Sequence, residues 1–329
     1  MYNYTDNVHE LENSAKIPFD DIFDYQYSPI NEIYERYFQF CQENLTTECN
    51  DYDIQPAKFY YRTEYGINAR AGIQNGYSII GVNMQTIHSL YDLFYEKNDI
   101  FETDEYLSNN YAELVKKFDV PVGHLMFQLA TLFTYHHELG HLIQKSPNLS
   151  LWLTEQNVDT TKDEFSIDRH ILELDADLNA AHSICFHLIE YLKKLEPKDR
   201  TQENLQKILS IGVASIFSYF LLYFQDAKSI YYKEHTHPHP LVRISYIVDC
   251  VIRVAEINLP PDFKIDLGNT LREGFIISDT FFRNVLNSTL VDDFGKHFLA
   301  ESKNIEAYVN ELLGVAEGMP NLVKNRHKA

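Results

Sequence analysis

The chain has 329 residues, enough for one large domain or two average ones, and its 45% hydrophobic content is ample for a sizeable core. A formal net charge of −20 argues against nucleic acid or an anionic membrane surface as the main partner. The four cysteines are widely spaced without a CxxC pair, which favours reduced thiols in a cytoplasmic protein over a disulfide framework or a cysteine-ligated zinc site.

The first 58 residues are acidic and contain one amphipathic pattern, at Pro29–Cys41, that predicts a helix. Short strands are predicted next, at 59–63, 66–72 and 77–83, with a hairpin turn at Asn75-Gly76. No other part of the chain has a clear strand pattern. The sequence therefore predicts an α+β fold that is mostly α, with a small β-sheet and hairpin ahead of the long helices.

Helical periodicity covers most of the remaining chain. Helices are predicted over Met84–Tyr95, from Pro121 to Lys145, over Ile167–Lys194, over Glu203–Tyr232 and over Leu241–Ile257, followed by broken helix to the C-terminus. A polar loop is expected at 146–166 and a tight loop at His235–Pro240. The acidic segment 96–119 has no convincing apolar stripe before Tyr111, and we considered it as a lid or as a solvated insertion.

Two uncharged stretches, Val120–His137 and Ile208–Gln225, are candidates for membrane spans by length. Serine and glycine residues interrupt the second stretch, and basic clusters do not flank it. Helices that are apolar on all sides also occur in the cores of large domains. We therefore expect buried core helices, and no membrane association.

A candidate metal site lies in the pattern HExxH formed by His137, Glu138 and His141. On a helix the two histidines are one turn apart, so both imidazoles can reach one metal ion from the same face. Glu138 is rotated by about 100° from that face, which places its carboxylate beside the ion and not on it. This is the arrangement of a zinc hydrolase in which the glutamate takes a proton from zinc-bound water.

The third ligand is expected at Glu173, in the pattern ExxxD that ends at Asp177. The two carboxylates share one helix face, and the distance from His141 suits an antiparallel helix. Glu173 can complete a site of two histidines and one carboxylate for one Zn²⁺, and Asp177 can accept the free N–H of a liganding histidine. By itself the acidic pair also fits a solvated helix face.

These residues resemble the gluzincin peptidases of the HtpX and CAAX-prenyl-protease type. Two further landmarks match: Asn68-Ala69-Arg70-Ala71, in the place of a substrate strand, and His237-Pro238 followed by Arg243. The resemblance covers residues 59–258, and it implies a zincin-like core between an N-terminal helical extension, 1–58, and a C-terminal one, 259–329. The membrane spans of that family are missing, so a soluble relative is expected, such as the Lit-type phage-exclusion peptidases.

The resemblance implies a zinc-dependent endopeptidase that cleaves extended protein segments. Glu138 would be the general base, and His237 would stabilise the oxyanion, with His239 as its competitor. Arg243 would hold Glu173 or its loop in place, and the strand at 68–72 would bind substrate by backbone pairing. Two alternatives remain: a catalytically silent binding or regulatory module that keeps the zinc fold, and a zinc hydrolase of a small molecule.

Overall fold

The computed structural model describes residues 1–52, 54–144, 153–154, 165–224, 229–261, 263–319 and 322–323. Over these residues the chain is mostly helical with one small sheet. The prediction of a mostly helical α+β fold with a hairpin ahead of the HExxH helix is therefore confirmed. Most of the predicted loop at 146–166 lies outside the described residues.

Most of the predicted strands and helices are present, but the helix expected to end at Cys41 continues to Tyr52, and the broken helix expected after Ile257 consists of two long helices. The strands are β1 (Ala57–Arg62), β2 (Ala69–Gln74), β3 (Tyr77–Asn83) and β4 (Leu153–Thr154). The helices are α1 (Tyr4–Glu10), α2 (Asn31–Tyr52), α3 (Met84–Leu90), α4 (Ile100–Thr103), α5 (Glu105–Val115), α6 (Val122–Gln144), α7 (Ile167–Lys194), α8 (Gln202–Tyr223), α9 (Pro240–Asn258), α10 (Leu267–Leu286) and α11 (Leu290–Ala316).

Local capping explains the ends of the helices that carry the site. Helix α7 begins after Ser166, whose side chain accepts a hydrogen bond from the Arg169 N–H. Helix α9 begins with Pro240 after the capping residue His239. The predicted helix to Tyr232 was too long, since α8 ends at Tyr223. Aromatic residues recur after it, at Phe224, Tyr231 and Tyr232, and apolar composition alone does not mark where a helix ends.

The sheet has the order β1-β3-β2-β4. Strand β1 is parallel to β3, while β2 and β3 form the predicted antiparallel hairpin. Its turn residues Asn75 and Gly76 both have positive φ, 48° and 81°, as a type I′ turn requires. The buried side chains of Ala69 and Ala71 belong to the hydrophobic core, and β2 packs against α6.

Strand β2 is not a free edge. Arg70 and Ala71 pair antiparallel with Thr154 and Leu153 of β4. The segment between α6 and α7 thus supplies two residues to the side of β2 where an extended peptide was expected to pair. The edge of β2 at Arg70 and Ala71 is therefore occupied by β4, and the expectation that the strand at 68–72 pairs with substrate stays a prediction. Strand β4 is only two residues long and follows no periodicity, so the sequence pattern did not reveal it.

Helix α6 is in close contact with α7. A Cβ atom built on Gly140 would lie 3.0 Å from the Ala176 Cα and 3.2 Å from its Cβ. The helix backbones can approach this closely because both residues are small. The motif residues of the two helices are therefore brought together on one face.

Helix α8 passes behind α6 and α7. By length and composition it is the one helix of the described residues that could cross a membrane, but 89% of its apolar window is buried inside the protein. Phe220 of α8 contacts both the Phe133 ring of α6 and the Arg243 guanidinium of α9. Helix α8 is thus a core helix, as expected, and it packs against the helices that carry the HExxH and ExxxD patterns.

The acidic segment 96–119 is more ordered than the sequence indicated. Ile100, Phe101 and Leu107 are buried in the core, although no apolar stripe was recognised before Tyr111. The Tyr111 hydroxyl donates to Glu273 of α10 at 3.0 Å. The apolar pattern was not recognised because it is divided between two separate helices, α4 and α5, so that no single helical period runs through it. The buried anchors give no support to a lid.

The hydrophobic core is continuous across the predicted extensions. One cluster of buried side chains includes Tyr34 and Phe38 of α2, the metal-motif helices, and Tyr308 and Leu312 of α11. Its last described members are Leu322 and Val323, which follow α11 and are also buried. Residues close to both ends of the chain therefore pack in the same core as the HExxH helix.

Candidate metal centre

Three buried side chains from α6 and α7 converge on one point and can hold a metal ion: His137, His141 and Glu173. The two histidine Nε2 atoms are 3.1 Å apart. The Glu173 oxygens lie 3.4 Å from the His137 Nε2 and 3.3 Å from the His141 Nε2. Bonds of about 2.0–2.1 Å in a tetrahedral zinc site place neighbouring ligand atoms about 3.3 Å apart. The distances from the Glu173 Oε2 to His137 and from its Oε1 to His141 are each close to that value, and one ligand atom from each of the three residues lies within 4.8 Å of the other two.

A hydrogen bond to Asp177 fixes the orientation of His137. The His137 Nδ1 lies 2.9 Å from the Asp177 Oδ1. A carboxylate only accepts, so Nδ1 carries the proton and donates it. The lone pair of His137 is then on Nε2, the atom that faces His141 and Glu173.

Asp177 is itself held by α9. Arg243 donates to both of its oxygens, from Nε at 2.8 Å and from Nη2 at 2.7 Å, and the Tyr246 hydroxyl donates at 2.6 Å. Burial alone would raise the pKa of Asp177, but Arg243 and His137 lower it to about 2. The charged carboxylate is thus built into the core as a rigid acceptor.

His141 has a comparable partner in Gln144, one turn further along α6. The His141 Nδ1 is 3.0 Å from the Gln144 Oε1. The amide nitrogen of Gln144 donates in the opposite direction, to the Leu172 carbonyl at 2.8 Å and to Asp175 at 3.1 Å. Since both of those partners only accept, the amide oxygen must face His141, and its Nδ1 must be the donor. His141 therefore also presents an Nε2 lone pair.

Two nitrogen lone pairs that face each other at 3.1 Å repel unless a cation lies between them. Burial lowers the pKa of His141, but the carboxylate of Glu173 outweighs it and raises the pKa, helped by Glu138. The buried carboxylates of Glu138, Glu173 and Asp177 also outnumber the guanidinium of Arg243 beside them. Buried charge must be compensated, and a divalent cation held by these residues would do so. The residues present thus fit a metal ion.

Glu138 is fully buried, and it stands one residue beyond His137 on α6. The helix turns by about 100° per residue, so its carboxylate lies beside the face that carries the histidine pair. It is close enough to act on the charge of His141, as the raised pKa of that imidazole indicates after the effects of burial and Glu173. Glu138 is not one of the three residues that could hold the metal ion.

The predicted loop at 235–240 brings one of its histidines to the metal group. The His237 Nε2 lies 3.4 Å from the Glu173 Oε1, and the Thr236 hydroxyl contacts its Nδ1 at 2.9 Å. His239, the alternative, accepts a hydrogen bond from the Leu241 N–H at 3.1 Å and caps α9. The geometry thus separates two residues that spacing alone left open.

Two other histidines close to the motifs are not in the metal group. His170 contacts the His235 carbonyl through Nε2 at 2.7 Å and the Tyr308 hydroxyl through Nδ1 at 2.8 Å. It therefore ties the loop and α11 to α7. His136 is buried on another face of α6, beside Phe40 and His187.

Gln144 and Tyr246 hold the site in place, but the sequence analysis did not identify them. Each lies three residues after a residue that it supports or assists, Gln144 after His141 and Tyr246 after Arg243. The i,i+3 spacing places both pairs on common helix faces. That spacing was the available indication. This indication was weak, because the hydrogen-bond partners of Gln144 and Tyr246 on α7 cannot be read from the spacing within their own helices.

No family model, no curated protein and no solved structure matches this chain.

Proposed function

We propose that this protein is a zinc-dependent peptidase that hydrolyses peptide bonds in extended protein segments of the cytoplasm. The observation that carries the proposal is the buried group of His137, His141 and Glu173, whose ligand atoms lie within 4.8 Å of one another, with Glu138 next to His137 on α6. Two histidines and one carboxylate leave the fourth position of a tetrahedral ion open, as in catalytic zinc sites.

The chemistry follows from where the side chains stand. When bound, zinc lowers the pKa of water and polarises a carbonyl group. Glu138 accepts the proton of the attacking water and later passes it to the leaving amine. His237 lies on the loop side of Glu173 and donates to the developing oxyanion. Arg243 acts through Asp177 as a positioning residue for His137.

The order of four landmarks supports a peptidase of the gluzincin type. The strand Asn68–Ala71 packs against the HExxH helix, and ExxxD follows on α7. The His237-Pro238 loop then brings His237 to Glu173, and Arg243 of α9 contacts Asp177. In the sequence these landmarks resemble the HtpX and CAAX-prenyl-protease type, and their elements are packed against α6 or α7.

Metal analysis of the purified protein tests the metal centre. We expect one zinc per chain, falling well below one in His137→Ala, His141→Ala and Glu173→Ala. His136→Ala is the matched control, since His136 is a buried histidine of the same helix outside the group. An equal loss of zinc in the control, or full zinc in the three ligand variants, would remove the basis for the proposal.

Glu138→Gln tests the reaction, because it removes the base and leaves the ligand set intact. We expect unchanged zinc content and a loss of hydrolysis on the order of 10²–10⁴-fold. A proteome-wide cleavage screen that compares wild type with Glu138→Gln identifies substrates without assuming a sequence preference. Equal cleavage by both proteins would reject the proposed mechanism.

A small-molecule zinc hydrolase is the second candidate, and the pairing of β2 with β4 favours it. Arg70 and Ala71 already pair with Thr154 and Leu153, so an extended peptide must displace β4 before it can use this edge. A small substrate needs no such displacement. The double variant Leu153→Pro/Thr154→Pro weakens the pairing. Faster cleavage of peptides by this variant supports the peptidase, whereas an effect on neither peptides nor small amides favours the second candidate.

A further inference from the structure

The hydrogen bonds of His141 continue beyond Gln144 to the C-terminal segment of the chain. Asp175 of α7 accepts from the Gln144 amide through Oδ2 at 3.1 Å. The same oxygen accepts the backbone N–H of Val323 at 2.7 Å. Gln144 is fully buried and Asp175 is 2% exposed, so water does not compete for these bonds. A line of hydrogen bonds thus runs from residue 323 to a candidate metal ligand.

Each hydrogen bond in this line has a fixed donor and a fixed acceptor. Val323 N–H can only donate, and the Asp175 carboxylate can only accept. The Gln144 nitrogen must therefore face Asp175 and Leu172, and its oxygen must face His141. If the amide turned over, its nitrogen would point at the His141 Nδ1 and would force the imidazole lone pair onto that atom. The Nε2 would then carry the proton and could not bind a metal.

Apolar packing also helps to place Val323 beside Asp175. Leu322 and Val323 are both buried in the hydrophobic core, beyond the end of α11. Packing of these two side chains brings the Val323 N–H to Asp175, where a buried carboxylate needs donors. Apolar packing of the C-terminal segment and the orientation of His141 are therefore coupled.

We propose that Gln144 and Asp175 are positioning residues for His141 and that the hydrogen bond from the Val323 N–H fixes the orientation of the Asp175 carboxylate. The C-terminal segment, Leu322–Val323, is then part of the metal site. This inference rests on the proposed metal centre, and it does not require that the substrate is a peptide. The structure gives His137 and His141 separate supports: Asp177 with Arg243 for the first, Gln144 with Asp175 for the second.

Zinc affinity, measured in the full chain by competition with a chromophoric chelator, is the direct test. Gln144→Leu keeps the side-chain bulk but removes both the acceptor for His141 and the donor to Asp175. Loss of such an outer partner typically weakens metal binding about 10–100-fold, and we expect a loss in that range. The visible spectrum of Co²⁺ bound in place of zinc should also shift, since it reports the geometry of the ligands.

Gln42→Leu is the matched control. Gln42 is a buried glutamine that likewise bridges a helix to the backbone, accepting from the Phe59 N–H and donating to the Ala57 carbonyl. We expect its loss to lower the thermal stability of the metal-free protein and to leave zinc affinity and the Co²⁺ spectrum unchanged. Equal loss of affinity in both variants would show a general effect of folding and would overturn the inference.

A paired exchange tests the direction of the line. Gln144→Glu alone places a second carboxylate against Asp175, and Asp175→Asn alone weakens the acceptor for two donors. In the double variant Gln144→Glu/Asp175→Asn the amide nitrogen of residue 175 can take the place of Oδ2 and donate to the new carboxylate, which also accepts from His141, although that nitrogen no longer accepts from the Val323 N–H. We expect each single variant to lose zinc affinity and the double variant to recover at least about tenfold over Gln144→Glu. No recovery would contradict the proposed polarity.

The role of the C-terminal segment is tested at one position. Val323→Pro removes the N–H and keeps an apolar side chain, whereas Val323→Ala keeps the N–H and removes side-chain bulk. We expect a severalfold weaker zinc affinity and a shifted Co²⁺ spectrum for Val323→Pro only. Equal affinities of the two variants would exclude the segment from the site. A wild-type protein that binds zinc without hydrolysing peptides would refute the peptidase and leave this inference standing; one that binds no zinc would refute both.

Discussion

Gly140 and Ala176 are in backbone contact at the crossing of the two helices that carry the metal group. A Cβ atom on Gly140 would meet the Ala176 Cα at 3.0 Å, tighter than nine in ten real Cβ contacts, and the obstacle is backbone that cannot turn aside. His141 stands one residue after Gly140, and Glu173 and Asp177 flank Ala176. The spacing of the two helices at this point therefore sets the distances between the ligands.

Gly140→Ala should therefore destabilise the protein and weaken zinc binding. Alanine gains up to about 1 kcal/mol in helix propensity, but overpacking costs about 1–3 kcal/mol and moves the helices apart. Gly295→Ala and Gly314→Ala in α11 are controls, since their added Cβ meets nothing within 4 Å. They should stabilise the protein by up to about 1 kcal/mol in chemical denaturation, with zinc affinity unchanged. A stabilising Gly140→Ala would show that the helices can separate without cost.

Loss of the buried pair between Arg243 and Asp177 should be severe. Arg243→Met leaves the Asp177 carboxylate charged and buried, which costs about 3–5 kcal/mol in the free energy of unfolding. Arg243→Lys should restore little, because an ammonium group does not match two carboxylate oxygens as the planar guanidinium does. Arg36→Met in the exposed pair with Glu32 is the control and should change stability by about 0.5 kcal/mol or less. A mild effect at Arg243 would contradict the assigned role of the pair.

The stability of the metal-free protein should fall in mild acid, and His239 should contribute to the fall. Burial lowers the pKa of His239 to about 3, with smaller effects of His297 and His235. Between about pH 6.5 and 3 the unfolded chain binds a proton at this residue that the folded chain does not. Its contribution is therefore fully present above about pH 6.5 and decreases as the pH falls, by up to about 1.4 kcal/mol per pH unit.

His239→Asn isolates that contribution, because asparagine can still cap α9 as the Nδ1 of His239 does for the Leu241 N–H. Urea unfolding in the presence of a chelator, at about pH 7.5, 6 and 5, should give a smaller loss of stability with acid for the variant than for wild type. Identical slopes in the two proteins would mean that His239 titrates in the folded state as it does in the unfolded one.

The apolar helix α8 should remain in the interior of a soluble protein. Most of its apolar window is buried, and Ser218 bonds to Ser278 of α10 at 3.2 Å inside the core. After cell lysis without detergent, the protein should stay in the supernatant of a high-speed centrifugation. Recovery only from detergent-extracted membranes would contradict this expectation.

Local patterns in the sequence determined much of this protein. The spacing of His137 and His141 depends only on the turn of a helix, about 3.6 residues, and so does that of Glu173 and Asp177. The extent of α7 and the turn at Asn75-Gly76 likewise follow from capping and from backbone preferences within a few residues. These features could be predicted because every interaction that fixes them lies within one element.

The tertiary structure alone decided which of these elements meet. The approach of His237 to Glu173, with His239 used as a helix cap, depends on how a loop packs against α7. The Val323 N–H reaches Asp175 across 148 residues, and β4 joins β2 through only two residues. Such contacts follow from the burial of matching apolar faces over the whole chain, which no local period records. For that reason the sequence pattern identified the candidate ligands, and only the packing of the helices identified what holds them.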